Sequence, residues 1–174
     1  MVKLRPASTY RKIKRAYTRK SKYKKKSFVR GIPGCKVVLY DVGNKNKKFQ
    51  YTLTLKLKTS INLRHNAIES ARITATRHIE KVLGKLGFHI KVRVVPHHVL
   101  RENTMATGAG ADRFQQGMSQ SFGKPIGLAA RVLAGKPVFE AYVDEAGIPA
   151  AKEALVKASK KLPTRCSIEV TKNE

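Results

Sequence analysis

An alternating pattern of apolar and polar residues lies in the first third of the chain and reads Phe49-Gln50-Tyr51-Thr52-Leu53-Thr54-Leu55-Lys56-Leu57-Lys58. Apolar side chains occupy every second position from Phe49 to Leu57. Successive side chains of a strand point to opposite faces, so this period of two residues is typical of a strand with one buried face. The segment therefore predicts a half-buried β-strand, with Lys56 and Lys58 on its polar face.

A helix pattern follows this strand along the chain. Its apolar residues recur at helical spacing and form one stripe, namely Ile68, Ala71, Ala75, Ile79, Val82, Leu83 and Leu86. We expect the basic residues to lie mostly away from the stripe, namely Arg64, Arg72, Arg77, Lys81 and Lys85. Asn66 and Glu69 have the spacing of a capping box, and Gly87 fits a C-cap. The helix is therefore predicted to begin near Asn66 and to end at Gly87.

Strand patterns flank this helix on both sides. Residues 88–95 alternate like the first strand, so strand, helix and strand predict a split or crossover β-α-β unit. Residues 35–42 are rich in Val and Leu and predict a short strand, which a turn at 43–46 ends.

The same order of strand, helix and strand recurs near the C-terminus. Residues 138–143 and 166–171 predict strands, Pro149 fits the first helical position, and Pro163 stops the helix. The apolar face of this helix consists of Ala151, Leu155, Ala158 and Leu162. The body is therefore predicted to be α+β, with two helices packed on a mixed, mainly antiparallel sheet.

The two cysteines, Cys35 and Cys166, are expected at the starts of strands. We interpret them as small buried apolar residues rather than as metal or redox groups.

Positive charge is concentrated at the N-terminus of the chain. The formal net charge is +26, and residues 1–30 hold thirteen Lys and Arg and no acidic residue, whereas residues 137–174 hold six of each sign. Aromatic residues alternate with these cations at Tyr10, Tyr17, Tyr23 and Phe28. Cations neutralise phosphates and rings stack on unpaired bases, so residues 1–30 predict a nucleic-acid-binding arm. A solvated tail, a localisation signal and a transit peptide are the alternatives.

Regular patterns fail between residues 102 and 125, where four of the twelve glycines fall. A loop of this length inside a compact domain is usually functional or disordered. Its glycines permit close approach to another backbone, and its glutamines offer hydrogen bonds. We interpret it as a functional loop, with a surface insertion as the alternative.

Familiar catalytic motifs fail on their spacing. Gly108 and Gly110 are followed by Arg113 where a dinucleotide fingerprint needs glycine or alanine, and Lys124 is followed by Pro125 where a phosphate loop needs Ser or Thr. The five histidines and two cysteines lack the spacing of a structural zinc site. No nucleophile with a base and an orienting group stands out. The sequence predicts neither enzyme, metal nor cofactor.

Several motifs together resemble one protein family. They read Phe88-His89-Ile90-Lys91-Val92-Arg93-Val94-Val95-Pro96-His97-His98-Val99-Leu100-Arg101, then Ala109-Gly110-Ala111-Asp112-Arg113, Gly117-Met118 and Phe122-Gly123-Lys124-Pro125, with Arg30-Gly31-Ile32-Pro33 and Glu69-Ser70-Ala71-Arg72-Ile73 also fitting. Along essentially the whole chain they resemble the archaeal and eukaryotic large-subunit ribosomal protein family ten-e, the counterpart of bacterial large-subunit protein sixteen. The short C-terminus favours an archaeal member.

The resemblance implies an α/β hammerhead sandwich in the cytoplasmic ribosome, among neighbouring large-subunit proteins. It implies binding to 23S rRNA near the peptidyl-transferase region, and a long loop directed at the acceptor end of tRNA. It implies no catalysis, membrane or small-molecule substrate. The expected division is an rRNA-binding arm over 1–30 and one α+β domain over 31–174, with 102–125 as its functional loop.

Two sets of residues are expected to carry these roles. The predicted rRNA-binding residues are Lys3, Arg5, Arg11, Lys12, Lys14, Arg15, Arg19, Lys20, Lys22, Lys24, Lys25, Lys26, Arg30, Arg64 and Arg72. The predicted tRNA-proximal residues are Asn103, Thr104, Met105, Ala106, Thr107, Gly108, Ala109, Gly110, Arg113, Gln115 and Gln116. An RNA-dependent peptidyl-tRNA hydrolase and a free nucleic-acid chaperone are the alternative functions.

Overall fold

The computed structural model describes residues 4–13, 23, 25, 29, 31–106, 108–113 and 123–173. The strands and helices of this part of the chain are β1 (Asp41–Gly43), β2 (Tyr51–Leu57), β3 (Ile61–Arg64), α1 (His65–Leu83), β4 (Phe88–Val92), β5 (His98–Glu102), β6 (Lys124–Val132), β7 (Pro137–Val143), α2 (Ile148–Ser159) and β8 (Cys166–Lys172). Within the same residues, neither helix combines the length and the apolar character needed to cross a bilayer.

The strands form two antiparallel sheets. One has five strands in the order β1-β4-β7-β2-β8, and the other has three in the order β3-β6-β5. Strands β2 and β4 both run antiparallel to β7, so they are parallel to each other with β7 between them. Helix α1 lies between β2 and β4 in the chain, which makes the predicted β-α-β unit a split one.

The main core lies between the two helices and one face of the five-stranded sheet. Its largest side chains are at most 1% exposed and include Leu55, Phe88, Ile90, Phe139 and Leu155. Full burial of each stabilises the fold by roughly 1.5–3 kcal/mol. The predicted α+β fold, with two helices on antiparallel sheet, is confirmed.

Helix α1 differs from the prediction at both ends. It begins at His65, and its N-cap residue, Arg64, makes no capping hydrogen bond through its side chain. The predicted capping box is wrong because the Glu69 carboxylate accepts a 2.9 Å hydrogen bond from Arg72 Nε instead. The predicted C-cap at Gly87 is also wrong, since Gly84 has the positive φ of 70° that ends the helix.

The side chains of α1 depart from the predicted stripe in its last turn and at one arginine. Ile68, Ala71, Ala75 and Ile79 are fully buried as predicted. Val82 and Leu86, by contrast, are 57% and 73% exposed. Arg72, expected away from the buried face, is only 8% exposed because Glu69 neutralises its charge there.

Several strand predictions need correction. The predicted strand at 35–42 is reduced to Asp41–Gly43, and further back along the chain Lys36 N donates a 3.2 Å hydrogen bond to His65 Nδ1 instead of to a neighbouring strand. Cys35 therefore does not start a strand, whereas Cys166 starts β8, and both are half-buried free thiols against the core. Strands β3, β5 and β6 were not predicted.

Helix α2 follows the prediction closely. Pro149 lies in its first turn, and Ala151, Leu155 and Ala158 are fully buried. The helix ends at Ser159, four residues before Pro163. A proline ring clashes with the carbonyl four residues earlier in a helix, so Pro163 is incompatible with a longer α2.

Candidate RNA interface

The beginning of the arm is fixed to the body by its own backbone. Asn62 in β3 donates from Nδ2 to the carbonyls of Tyr10, at 3.0 Å, and Lys12, at 2.9 Å. The Asn62 backbone N–H donates to the Arg11 carbonyl at 3.0 Å. Asn62 is 8% exposed, so these bonds are largely shielded from water.

Arg64 makes a second attachment, which also binds backbone carbonyls of the arm. Its two terminal nitrogens donate to the carbonyls of Arg5, at 2.7 Å, and Pro6, at 3.1 Å. Its guanidinium carbon lies 4.8 Å from the centroid of the Tyr10 ring, a cation–π distance. The charge of Arg64 is therefore engaged within the protein.

The far end of the arm is attached by packing. Val29 is 9% exposed and packs with Val99 and Leu128 from the three-stranded sheet. The chain is thus held on the body at residues 4–13 and again at Val29. We call the intervening residues 14–28 the strap. The strap contains eight cations and no acidic residue: Lys14, Arg15, Arg19, Lys20, Lys22, Lys24, Lys25 and Lys26.

The two ends of the long loop lie close together where it leaves the three-stranded sheet, at Glu102 and Gly123, and we call this point the neck. Strands β5 and β6 pair up to Glu102 opposite Lys124, and Gly123 lies against the Glu102 backbone. A Cβ at Gly123 would stand 2.9 Å from the backbone N and C of Glu102, closer than such atoms approach. Glycine at position 123 therefore permits the close approach of the two strands where the loop begins and ends.

Most described residues of the loop are exposed. Asn103 is half-buried, while Thr104, Met105, Ala106, Gly108, Ala109, Gly110 and Arg113 face solvent. The 3-10 turn at Ala111–Arg113 is closed by two backbone bonds to the carbonyls of Gly108 and Gly110. Thr107, Gln115 and Gln116 lie outside the described residues.

The family model of ribosomal protein L16p/L10e matches residues 16–169 of the sequence. The chain belongs to the ribosomal protein L16p/L10e family. Three relatives named large ribosomal subunit protein uL16 illustrate the similarity. The protein of Archaeoglobus fulgidus is 42% identical over 168 residues, 97% of this chain and 93% of the relative. The protein of Methanococcus maripaludis strain S2 is 46% identical over 98% of this chain and 96% of the relative. The protein of Methanospirillum hungatei is 44% identical over 92% of this chain and 91% of the relative.

The predicted rRNA-binding residues of this L16p/L10e chain fall into three groups. Arg11, Lys12 and Lys25 are exposed, and Arg5 is exposed but forms a 2.5 Å ion pair with Glu102. Arg64 and Arg72 are engaged by the protein itself, as described above. The others lie outside the described residues, namely Lys3, Lys14, Arg15, Arg19, Lys20, Lys22, Lys24, Lys26 and Arg30.

One cluster of ionisable groups away from the arm forms structural contacts. On the polar face of the five-stranded sheet, the His89 ring stacks on Tyr142 at 5.2 Å and lies 3.1 Å from Asp41. Burial and the hydrogen bond to Glu140 raise the pKa of Tyr142 to about 12, so its hydroxyl stays protonated. In the part of the chain that the structure describes, no group of three His, Cys, Asp or Glu residues could hold a metal ion.

Asn62 is the residue of this interface that sequence reasoning missed. Its partners lie about fifty positions away in the sequence, and no local pattern links β3 to the arm. A polar residue between Ile61 and Leu63, both buried, was the one available signal.

We expect Asn62→Ala to release the beginning of the arm while leaving the core folded. The substitution removes both Nδ2 donors and leaves two carbonyls without them, at a cost of about 1–3 kcal/mol. Trypsin cleavage after Arg11 and Lys12 in the free protein should therefore accelerate about tenfold. Asn46→Ala, which changes an exposed asparagine, is the matched control and should leave the rate unchanged. Equal cleavage rates in all three proteins would contradict the proposed attachment.

Proposed function

We propose that the chain is a structural constituent of the large ribosomal subunit. In this role it binds 23S rRNA near the peptidyl-transferase region and helps to organise the tRNA-binding sites. Family membership and the names of the relatives support the subunit. The finer assignment rests on the arm, the strap and the loop.

One observation carries the RNA-binding role: the body holds the arm by its carbonyls and leaves arm cations outside. Asn62 contacts the backbone of Arg11 and Lys12, and both side chains are exposed. Their charges therefore remain available for phosphates. The attachment sites at 4–13 and Val29 flank the eight-cation strap in the sequence, and eight cations between two attachment sites suit an anchor on a polyanion.

Charge elsewhere on the chain supports a one-sided interface. The C-terminal residues 137–174 carry no net charge, and several of their acidic groups pair with cations of the body. Glu140 pairs with Arg93 at 3.2 Å, Asp144 with Lys47 at 2.7 Å and Glu169 with Lys56 at 2.5 Å. We assign the polar sheet face that carries Glu140, Glu169 and Lys56 to solvent or neighbouring proteins rather than to the main rRNA contact.

The loop supports the tRNA-proximal role. Its neck at Gly123 joins it to a rigid ladder of strands, and its described residues are small or exposed. A segment of this composition fits between other backbones in a crowded RNA environment. We propose that it approaches the acceptor end of tRNA in the assembled ribosome and that the protein works in the cytoplasm as part of that particle.

Sedimentation tests the proposed function directly. A tagged copy of the chain, expressed in an archaeal host, should remain with large subunits through a high-salt sucrose gradient. Release into the free pool under those conditions would favour a free nucleic-acid chaperone. Incubation of the purified protein with peptidyl-tRNA is the second experiment. Hydrolysis of the peptidyl-tRNA with turnover would favour a hydrolase and contradict a purely structural role.

A further inference from the structure

A cavity of about 290 Å³ lies where the arm meets the body. Five parts of the chain converge on it: the start of the arm, residues 33–36, the first residues of α1, the end of β5 and the middle of β6. Leu4 and Ile126 line it and are 66% and 44% exposed, so they form an apolar mouth on a basic surface. Leu100 and Leu128 form buried apolar walls.

The polar end of the cavity consists of hydrogen-bond donors. His65 is 7% exposed, and its Nδ1 accepts the Lys36 N–H, so the neutral ring carries its proton on Nε2. Burial and the charges of Lys36 and Arg64 lower the pKa of His65, which keeps the ring neutral near pH 7. Nε2 faces Gly127, another lining residue, at 3.5 Å from the place of a Cβ there.

One buried donor beside the cavity lacks an acceptor in the described part of the chain. Among the described residues the Nε of Arg64 is buried with no hydrogen-bond partner, while His65 Nε2 lies at the wall formed by Gly127. The first turn of α1 adds backbone N–H groups without a side-chain cap or an acidic residue. A buried donor without an acceptor costs free energy, so this end of the cavity favours a ligand that brings acceptor atoms.

The rim favours an anionic ligand. Three cations border the cavity, but Arg5 is paired with Glu102 and Arg64 donates to arm carbonyls, so Lys36 is the cation left to meet a ligand at the rim. Apolar walls, donors at one end and a cation at the rim match the parts of a nucleotide, which are a flat base with acceptor atoms and a phosphate. Proteins that recognise single-stranded RNA commonly form hydrogen bonds to the edges of unstacked bases.

We propose that this cavity receives one unpaired nucleotide of the bound RNA. The base lies between Leu4 and Ile126 and accepts hydrogen bonds from the His65 end of the cavity, while its phosphate lies at the rim near Lys36. The inference rests on the proposed rRNA-binding function and adds to it a site that reads a base, whereas the strap contacts phosphates. His65 is a positioning and binding residue here, without a catalytic role.

Photo-cross-linking in assembled large subunits tests the proposal. Irradiation of subunits that contain the chain, followed by nuclease and trypsin digestion, should yield nucleotide adducts on the peptide that contains Ile126 as well as on strap peptides. Gly127→Ala should lower the Ile126-peptide adduct about tenfold, because the new methyl group covers the His65 donor at ordinary contact distance without disturbing the strand. In the same variant, the yield of nucleotide adducts on strap peptides should not change.

A matched pair of surface variants tells an effect at the cavity mouth apart from the effect of losing any exposed apolar side chain. Ile126→Ser should reduce the same adduct, whereas Leu86→Ser, at an exposed leucine beyond the other end of α1, should not. In a salt titration of rRNA binding, Lys36→Gln should lower the log–log slope by about 1, while Gly127→Ala should leave the slope unchanged because it removes no phosphate contact.

The outcomes distinguish this inference from the function on which it rests. Strap adducts without any adduct near Ile126 would overturn the nucleotide site and leave the rRNA-binding function standing. A peptide of a neighbouring protein cross-linked to Ile126 would also overturn it. Absence of adducts along the whole chain would overturn the proposed function itself.

Discussion

Replacement of the eight strap cations by glutamine should weaken binding to 23S rRNA by about a thousandfold and flatten its salt dependence. Each phosphate contact that is lost removes about 0.9 from the log–log slope of affinity against salt on a B-form duplex and about 0.7 on a single strand, so the slope should fall by as much as ~7. Filter binding of the purified protein to protein-free 23S rRNA, measured from low to high salt, gives both quantities in one experiment.

The control for this prediction removes charge from another part of the surface. Lys152, Lys160 and Lys161 are exposed at the C-terminal side of the molecule, and their triple glutamine variant should keep the affinity and the slope of the unmodified chain. Thermal unfolding should be the same for all three proteins, because the described main core is built from apolar side chains between Cys35 and Ile168. An unchanged slope in the strap variant would refute its role as the phosphate anchor.

Removal of residues 104–116 should leave the fold and rRNA binding intact but lower the affinity of the ribosome for tRNA in the peptidyl site about tenfold or more. Residues 104–106, 108–110 and 113 are exposed and Ala111 is half-buried, so we expect the free energy of unfolding to change by less than ~1 kcal/mol. Ribosomes reconstituted with the shortened protein, titrated with labelled tRNA, provide the measurement. Unfolding of the shortened protein would show instead that the loop is part of the fold.

Two further variants show whether tRNA affinity depends on the length of the loop, on its side-chain contacts or on its attachment to β5 and β6. A Gly/Ser segment of equal length in place of 104–116 should fail to restore tRNA affinity if side chains or the local 3-10 turn make the contact. Gly123→Ala keeps the loop but places a Cβ 2.9 Å from the Glu102 backbone, which should separate β5 from β6 at the neck at a cost of about 1–3 kcal/mol. Faster hydrogen exchange at Glu102 and Lys124 would report that separation.

Elements with one buried face were predictable from the sequence. Strand β2 alternates between the helix-covered face and the polar face, and the apolar stripe of α2 is buried at every predicted position. Strand β6 was not predictable, because residues 127–130 are all buried and their sequence shows no period of two. Strand β3 has only four residues and carries a buried asparagine, so its pattern resembles a connection rather than a strand.

Local signals failed where a competing partner was better placed. Asn66 and Glu69 have capping-box spacing, yet Glu69 binds Arg72 one turn further along α1. The interface showed the same limit: charge density predicted the arm, but nothing local predicted that Asn62 and Arg64 would hold it. Such contacts join positions about fifty or more residues apart, and only the folded chain brings them together.

Attachment through carbonyl groups has a consequence for how this chain tolerates mutation. Every amino acid supplies the same carbonyl, so a substitution at Arg5, Arg11 or Lys12 leaves the acceptor for Asn62 or Arg64 in place. The exposed side chains of Arg11 and Lys12 can therefore be exchanged to suit a different RNA surface without a matching change in the body. Only two body residues, Asn62 and Arg64, need to stay constant for these side-chain hydrogen bonds to hold the arm within the described residues.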